Sequence, residues 1–243
     1  TPEYGILSSH RILSTATHSQ SGFYGPASGT ALRYRILADC HAIDNQINDE
    51  WLIRDQGAIV RQLGWTPEAY AADLHAKQTA AGRVVAALPP ETDQPGPYQG
   101  RGNDHPPGAR LAEILPRIMG ADMAVIGQEY DRAANLFYPG GVETQSFDGA
   151  DKFWMGLRAA LPDAEFTLHH VIGREDEAMP PRAAVRWSLW GRHSGWGAFG
   201  APSGAMVYVL GITHAEFGPW GLRREYTLFD ETAVWSQILR AGA

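Results

Sequence analysis

The chain has 243 residues, of which 44% are hydrophobic and 19% are charged, a composition typical of a globular protein with a buried core. Its 20 Lys and Arg residues and 27 Asp and Glu residues give a net charge of −7. Because the basic residues do not cluster, this composition excludes a typical nucleic-acid or anionic-membrane surface. The single cysteine, Cys40, cannot form an internal disulfide, and no spacing of Cys and His residues resembles a zinc site.

Residues 1–65 are predicted to form three strands and a short helix. Residues 11–18, 31–42 and 46–54 have the β-branched and aromatic character of strands, and the helix is expected over residues 56–63. No apolar run approaches the roughly 18 residues that a membrane span needs. The N-terminus also lacks the layout of a signal peptide, so we expect a cytoplasmic protein.

A helix and then a linker follow. Thr66 can cap a helix, and Pro67 suits its first position. From about residue 89 to residue 108 the sequence holds Pro89-Pro90, Pro95-Gly96-Pro97 and Pro106-Pro107-Gly108, which cannot sustain a helix or a central strand. We therefore assign residues 66–108 to a helical segment and a linker, and place a domain boundary in the linker.

The remaining residues, 109–243, are predicted to form one complete domain. A helical stretch is expected over residues 109–135, interrupted by Pro116 and Gly120, and Asp148 is expected to cap the next helix. The strands that follow are expected over residues 165–172, 183–192, 206–217 and 222–229, and a short helix over residues 230–240. Helices followed by a run of strands indicate an α+β domain whose sheet is covered by helices.

The two strand-rich regions are similar in sequence. Positions that differ by 175 residues are identical at eleven places between residues 11 and 62, where chance would give roughly three. The identical pairs are Arg11/Arg186, His18/His193, Ser19/Ser194, Gly22/Gly197, Gly25/Gly200, Ser28/Ser203, Gly29/Gly204, Glu50/Glu225, Asp55/Asp230, Ala58/Ala233 and Gln62/Gln237. This pattern predicts a duplicated fold.

The second copy resembles a known family. The residues that carry the resemblance are Arg186-Trp187-Ser188-Leu189-Trp190-Gly191-Arg192-His193, Gly197, Gly200, Pro202-Ser203-Gly204, Gly221-Leu222, and an aromatic residue followed by Asp230. They are similar to the SnoaL-like polyketide cyclases of the nuclear transport factor 2-like superfamily, over residues 109–243 and partly over residues 8–64. The resemblance implies two cone-shaped α+β domains of curved sheet and helices, the first incomplete at its N-terminus.

The resemblance also implies a chemistry. In cyclases of this family an aspartate on the last strand is the acid/base for an intramolecular aldol closure, with neither a metal ion nor an organic cofactor. That aspartate matches Asp230, and Asp55 in the first copy. The family's asparagine two residues earlier is replaced by Leu228 and Ile53. Each aspartate also lies where a helix cap is expected, so a capping role and a catalytic role are both open.

Histidines and carboxylates provide further candidates. His193 and His18 precede Gly-rich turns, where an imidazole either bonds to the loop or assists proton transfer. On the next strand of each copy, Asp39 and His41 align with His214 and Glu216, and a period of two places each pair on one face. The pair supplies an acid/base group if that face lines a pocket, and a weak ion pair otherwise.

Aromatic residues are frequent in the second copy. Trp187, Trp190 and Tyr226 are candidates to line a pocket for a flat ligand, with core packing as the alternative. Tyr130 and Tyr138, expected on the second helix, are further binding candidates, with exposure to solvent as the default alternative. No dinucleotide fingerprint, phosphate loop or nucleophile elbow occurs.

Two functional hypotheses follow from these residues. The first is a cofactor-independent general acid/base enzyme for a small, apolar carbonyl compound, with Asp230 as proton shuttle and His193 or His214 assisting. The second is a ligand-binding or dimerisation module of the same fold, which an interior filled by side chains would favour. In either case we expect a small-molecule ligand and a homo-oligomer.

The first copy lacks the helices expected of a complete domain. Its even-numbered apolar residues Leu32, Tyr34, Ile36 and Ala38 form a stripe that needs cover. We expect about 60 to 70 further residues before Thr1, from the offset between the copies and the usual size of a domain.

Overall fold

The computed structural model describes residues 5–83 and 88–240. The strands are β1 (Gly5–Thr17), β2 (Ala31–Ile43), β3 (Gln46–Arg54), β4 (Tyr130–Tyr138), β5 (Val142–Gln145), β6 (Glu165–Arg174), β7 (Arg182–Arg192), β8 (Met206–Gly218) and β9 (Gly221–Phe229). The helices are α1 (Gln56–Gln62), α2 (Pro67–Ala80), α3 (Pro106–Met119), α4 (Ala124–Glu129), α5 (Ser146–Ala160) and α6 (Glu231–Arg240), with a 3-10 turn at Pro90–Thr92.

The strands form two sheets. The first is an antiparallel meander in the order β1-β2-β3, and the second is six-stranded in the order β5-β4-β9-β8-β7-β6, with β4 and β9 parallel. The tight turn between β2 and β3 uses Asp44 and Asn45 at positive φ, a conformation that these two residue types tolerate. The predicted α+β class is confirmed, as are the predicted strands and the helix capped by Thr66.

One face of the six-stranded sheet is covered by α3, α4 and α5. The core between sheet and helices includes Trp154, Leu157, Trp187, Val207 and Phe229. Trp154 and Trp187 have no solvent exposure. We call this core the helix-covered interior.

The opposite face of the same sheet packs against the three-stranded sheet. Leu37 of the first sheet forms a small buried cluster with Ile212 and Leu228 of the second, and the half-buried Ile53 packs against it. Arg11 lies 4.2 Å from the ring centroid of Tyr226 and pairs with Glu216 at 2.6 Å. This second core is called the intersheet core.

Contacts between the sheets occur in pairs whose numbers differ by 175. Arg11 lies over Tyr226, and Arg186 lies over Trp51 at 3.4 Å from its ring centroid. The strands β2 and β8 have equivalent bounds at this offset, and so do β3 and β9. Each sheet therefore presents a similar surface to the other, as self-complementary halves do.

Three local expectations need correction. Tyr130 and Tyr138 lie on β4 and not on a helix, because residues after Glu129 pair with β9 and β5. Asp148 lies in the first turn of α5, whose cap position is Gln145. In the apolar stripe of β2, Leu32 and Ala38 are already buried, whereas Tyr34 and Ile36 are half-buried. The proposed domain boundary stays a prediction.

Candidate functional site

A cleft of about 550 Å³ opens where the linker crosses the two sheets. Its walls are β3, the intersheet face of β6, β7 and β8, and linker residues 90–101. Its lining residues include Trp51, Tyr98, His169, Arg186, Ser188 and Trp190. We call this space the linker cleft.

A β-bulge in β6 places two consecutive histidines at the intersheet face. The pairing of β6 with β7 shifts register between Leu168 and His170, so His169 is the extra residue. In a regular strand neighbouring side chains alternate between faces, but a bulge changes this direction. His169 therefore reaches Ser188 of β7, while His170 reaches Asp39 of β2.

His169 is suited to accept a proton. Its Nε2 lies 2.8 Å from the Ser188 hydroxyl. Burial, and next the nearby Arg186 cation, lower the pKa of His169 below its usual value. The imidazole is therefore neutral at pH 7, the form in which histidine acts as a general base.

His170 links Asp39 to Tyr98. Both His170 and Asp39 are 2% exposed, and His170 Nδ1 lies 2.7 Å from Asp39 Oδ2. Because the carboxylate accepts the Nδ1 proton, Nε2 is free to accept from the Tyr98 hydroxyl, 3.2 Å away. The Gly102 amide donates to the same Tyr98 oxygen at 3.3 Å. Through this series of hydrogen bonds, His170 can take up the phenolic proton of Tyr98 or return it.

Arg186 brings positive charge to the wall of the cleft. Its guanidinium lies over the Trp51 ring, and its Nε is 3.7 Å from Asp39 Oδ2. That Nε is buried and has no hydrogen-bond partner among the described residues. Burial lowers the pKa of Arg186, which means that the cation is poorly solvated. A ligand oxygen that gains negative charge in the cleft would be stabilised by this guanidinium cation.

The linker is attached to β6 by backbone hydrogen bonds. Val171 N donates to Arg101 O at 2.9 Å, and Asn103 N donates to Val171 O at 2.9 Å. Between them, Gly102 has a φ of +105°, and a Cβ there would meet Val171 O at 1.7 Å. Only glycine fits this close approach, which fixes the segment that carries Tyr98.

The helix-covered interior holds a different acidic group, Glu225. This residue has no solvent exposure. Its Oε2 accepts from the hydroxyls of Tyr130 at 2.7 Å and Tyr138 at 3.1 Å, and its Oε1 accepts from Thr227 at 2.7 Å. Burial raises the pKa of Glu225, although the three hydrogen bonds oppose the shift. The predicted ligand residues Tyr130 and Tyr138 thus bind a carboxylate of the protein itself.

Asp230 and Asp55 each cap a helix, and neither belongs to the core cluster of the helix-covered interior. Asp230 Oδ1 accepts from Thr232 N at 2.8 Å and from Ala233 N at 3.1 Å, and so caps α6. Asp55 accepts from Ala58 N at 2.9 Å and caps α1. Burial still raises the pKa of both carboxyls. Their catalytic role stays a prediction.

The histidines before the Gly-rich turns bond to their own loops. His193 Nδ1 lies 3.0 Å from the Ser203 hydroxyl, and His18 Nδ1 lies 2.9 Å from the Ser28 hydroxyl. His193 is fully buried, burial lowers its pKa, and its Nε2 has no partner among the described residues. Neither histidine lines the linker cleft.

The His and carboxylate pairs of β2 and β8 face the neighbouring sheet. His214 Nε2 lies 2.8 Å from the Ser9 hydroxyl, and burial lowers its pKa to about 3. Glu216 pairs with Arg11 and Arg224. His41 stacks on Tyr98, with ring centroids 4.3 Å apart. Of these two pairs, only Asp39 and His41 of β2 therefore contact residues of the cleft wall.

The predicted aromatic residues divide between the two faces of the sheet. Trp190 lines the linker cleft, Tyr226 stacks on Phe137 beside the intersheet core, and Trp187 lies in the helix-covered interior. Trp187 donates to Thr213 at 2.9 Å. The predicted site residues therefore do not converge on one pocket.

Sequence reasoning missed His169, His170 and Tyr98. The two histidines stand next to each other, and regular alternation would place them on opposite faces, so only the bulge reveals the pair. Tyr98 lies in a linker whose prolines and glycines exclude regular secondary structure but do not indicate a site. An isolated tyrosine in a Pro- and Gly-rich stretch was the available signal.

Neither a family model nor a curated protein matches the chain. Solved structures are similar over about half of it. A protein of Jannaschia sp. CCS1, named for its likeness to SnoaL polyketide cyclases, has a TM-score of 0.46 at 17% identity, covering 56% of this chain and 96% of its own. IdmH from Streptomyces antibioticus has a TM-score of 0.46 at 17% identity, with 55% and 99% covered.

TsrD from Streptomyces laurentii is similar to the same extent, with a TM-score of 0.46 at 16% identity, covering 56% of this chain and 97% of its own. Among residues 5–83 and 88–240, no group of three or more His, Cys, Asp or Glu side chains is placed to hold a metal ion. Within the same ranges, none of the helices has the length and apolar character of a membrane span.

Proposed function

We propose that the chain binds a small carbonyl compound in the linker cleft and catalyses proton transfer next to the carbonyl group. The observation that supports this is the convergence of a neutral histidine, a hydrogen-bonded tyrosine and an incompletely bonded arginine on one cleft. General acid/base catalysis needs a base, an acid and a group that stabilises the developing charge. His169, Tyr98 and Arg186 are suited to these roles.

The reaction balances with these three groups. His169 takes a proton from the carbon next to the carbonyl, and the electron pair moves onto the carbonyl oxygen. Arg186 stabilises the resulting enolate. Tyr98 then supplies a proton to the product, the Gly102 amide donates to the phenolate that remains, and the protonated His169 returns its proton to that phenolate. Such a step is common to isomerisation, dehydration and intramolecular aldol closure, the reaction that the family resemblance implies.

Charges and aromatic rings around the cleft define the substrate class. Glu91, Asp93 and Glu165 are carboxylates in its lining, and they disfavour a ligand that already carries several negative charges. Trp51 and Trp190 supply flat apolar surfaces. A neutral, flat, largely apolar ketone fits both properties.

The test uses 1-indanone, a flat ketone whose proton exchange in heavy water is followed by NMR. We expect the chain to accelerate exchange at the carbon next to the carbonyl, and His169→Gln to reduce that acceleration by about 100-fold, as removal of a general base does. The matched control is His10→Gln, since His10 is an exposed strand histidine outside the cleft. Loss of tryptophan fluorescence on titration reports binding independently.

Equal exchange rates for the wild type and His169→Gln would contradict the proposal. Binding of 1-indanone without exchange in either protein would favour the second hypothesis, a non-catalytic ligand-binding module. That alternative has its own support, because side chains such as Trp154 and Trp187 fill the helix-covered interior.

The observed pairing of the sheets also fits a chain that evolved by duplication of one domain.

A further inference from the structure

A second cleft, of about 430 Å³, opens between the edge strand β1 and the turn end of the β6–β7 hairpin. Its walls are residues 7–11 of β1, residues 172 and 174 of β6, residues 182–184 of β7, and residues 214 and 215 of β8. The linker cleft uses other parts of the same sheet, and the two clefts share no lining residue. We call this second space the arginine cleft.

Three arginines that are far apart in sequence line the arginine cleft. Arg11 lies on β1, Arg174 ends β6 and Arg182 begins β7. None of the described residues that line this cleft is a carboxylate, whereas three carboxylates line the linker cleft. On a chain with a net charge of −7, the arginine cleft is therefore a local concentration of positive charge.

The carboxylates that pair with these arginines do not neutralise them. Asp176, in the turn between β6 and β7, is shared by Arg174, at 2.7 Å, and Arg182. Glu216 is shared by Arg11, at 2.6 Å, and a second arginine on β9. Each carboxylate thus serves two guanidinium groups, which leaves one positive charge in excess at each.

The neighbouring groups agree with this positive field. Burial, and next the Arg11 cation and His10, lower the pKa of His214 to about 3. Glu175 and Glu177 lie in the same turn as Asp176, but they are exposed and do not line the cleft. Water screens exposed charges of this kind, so they oppose the field only weakly.

The rest of the lining suits an organic ligand better than a bare ion. Leu7, Ile172 and Ala184 provide apolar surface, and Ser8 and Ser9 add hydroxyl groups. The volume lies within the range of pockets that hold small organic molecules. Guanidinium groups bind carboxylates and phosphates through paired N–H donors.

We propose that the arginine cleft binds a small organic anion, which consists of an apolar body and one carboxylate or phosphate group. The anionic group contacts Arg174 and Arg182, the two arginines that share a single carboxylate. The apolar body lies against Leu7 and Ile172. This binding site does not depend on the catalysis proposed for the linker cleft.

The test compares 2-naphthoate with 2-naphthamide, a neutral compound with the same ring system. NMR titration of the intact chain follows the backbone amides of residues 7–11 and 182–184 in the arginine cleft and of residues 93–101 in the linker cleft. We expect 2-naphthoate to shift the first set at lower concentration than the second. Its affinity for the arginine cleft should exceed that of 2-naphthamide by about tenfold at low salt, because hydrogen bonds between charged groups are the strong ones.

Two further probes identify the anionic group. Tighter binding of 2-naphthyl phosphate than of 2-naphthoate would assign a phosphate, and the reverse order would assign a carboxylate. Inorganic phosphate has no apolar body, and we expect it to bind more weakly than both. If it bound as tightly as they do, the proposed organic ligand would be wrong.

Two substitutions change the charge of the cleft in opposite directions. Arg182→Gln leaves Asp176 paired with Arg174 and removes the excess cation, so 2-naphthoate should bind about tenfold more weakly. Asp176→Asn removes the shared carboxylate and should strengthen binding about threefold or more. Arg117→Gln is the matched control, since Arg117 is an exposed arginine that pairs with Asp122 outside the cleft.

Circular dichroism verifies that the three variants fold. 2-Naphthamide should bind equally to all of them, because it carries no charge. Equal affinities for 2-naphthoate and 2-naphthamide would overturn the proposal. So would an affinity for 2-naphthoate that stays the same in both Arg182→Gln and Asp176→Asn, or shifts that occur only at residues 93–101.

Discussion

Glu225 and Asp39 are buried carboxylates with different surroundings. Three hydroxyl groups surround Glu225, and none of them carries a positive charge. Asp39 instead accepts from His170 and lies near the Arg186 cation. Hydroxyl groups stabilise a carboxylate less than a cation does. Burial therefore raises the pKa of Glu225 with no cation among the described residues beside it to offset the effect.

Glu225→Gln should change how stability depends on pH. Burial raises the folded-state pKa of Glu225 above its unfolded value of about 4.5, so the folded protein retains this proton to higher pH. As pH rises from about 4.5 through the raised pKa, the wild type loses stability that the glutamine variant retains. We expect the difference in unfolding free energy to shift in favour of the variant between pH 4.5 and 8, measured by urea denaturation.

Glu50→Gln is the matched control for this prediction. Glu50 is the position 175 residues earlier, and it is exposed to water, so this variant makes the same substitution without the burial. A difference between Glu225→Gln and wild type that stays constant with pH would show that water or another donor already solvates the Glu225 carboxylate.

The sequence predicts a helix or strand well where local composition alone determines it. β7, β8 and β9 have β-branched and aromatic residues between Gly and Pro turns, and their bounds agree with prediction within one or two residues. β4 was mistaken for a helix because local alanines outweighed its pairing with β9, which is 90 residues away in sequence.

The linker cleft was not predicted for a similar reason. Asp39 was singled out, but its partner His170 lies on another sheet and depends on a bulge that no local pattern indicates. The clefts and cores of this molecule form between distant segments. Composition and periodicity describe the faces of elements, whereas they do not determine which faces meet.

The linker should detach from β6 when Gly102 is changed to alanine. The positive φ and the contact with Val171 O leave no room for a Cβ, so the two flanking hydrogen bonds would be strained or lost. We expect a loss of about 1–3 kcal/mol in unfolding free energy and faster hydrogen exchange at residues 98–103. Binding of 1-indanone should weaken as Tyr98 loses its position.

Gly127→Ala is the control for the linker substitution. Gly127 lies in α4, and a Cβ there would contact nothing within 4 Å, so alanine should be neutral or stabilising by up to about 1 kcal/mol. If the two variants had the same unfolding free energy and the same hydrogen exchange at residues 98–103, the backbone hydrogen bonds between the linker and β6 would not hold the linker in place.

At the scale of the whole molecule, the two sheets share one buried surface. The intersheet core joins Leu37 and Ile53 to Ile212 and Leu228, and ion pairs such as Arg61 with Glu231 at 2.5 Å connect α1 to α6. The first sheet has only three strands, and small sheets need packing against another layer for stability. We therefore expect the first copy to depend on the second for its fold.

Leu37→Ala tests this dependence. Leu37 is 1% exposed, and removal of a buried leucine side chain costs about 2–5 kcal/mol. Because its partners belong to β8 and β9, we expect one cooperative transition at lower denaturant, with hydrogen exchange accelerated in both sheets. Leu13→Ala is the control, since Leu13 is 49% exposed and should change stability by no more than about 0.5 kcal/mol. If exchange accelerated only in residues 5–54 while β7–β9 kept their protection, the second domain would be stable alone and the sheets would unfold as separate units.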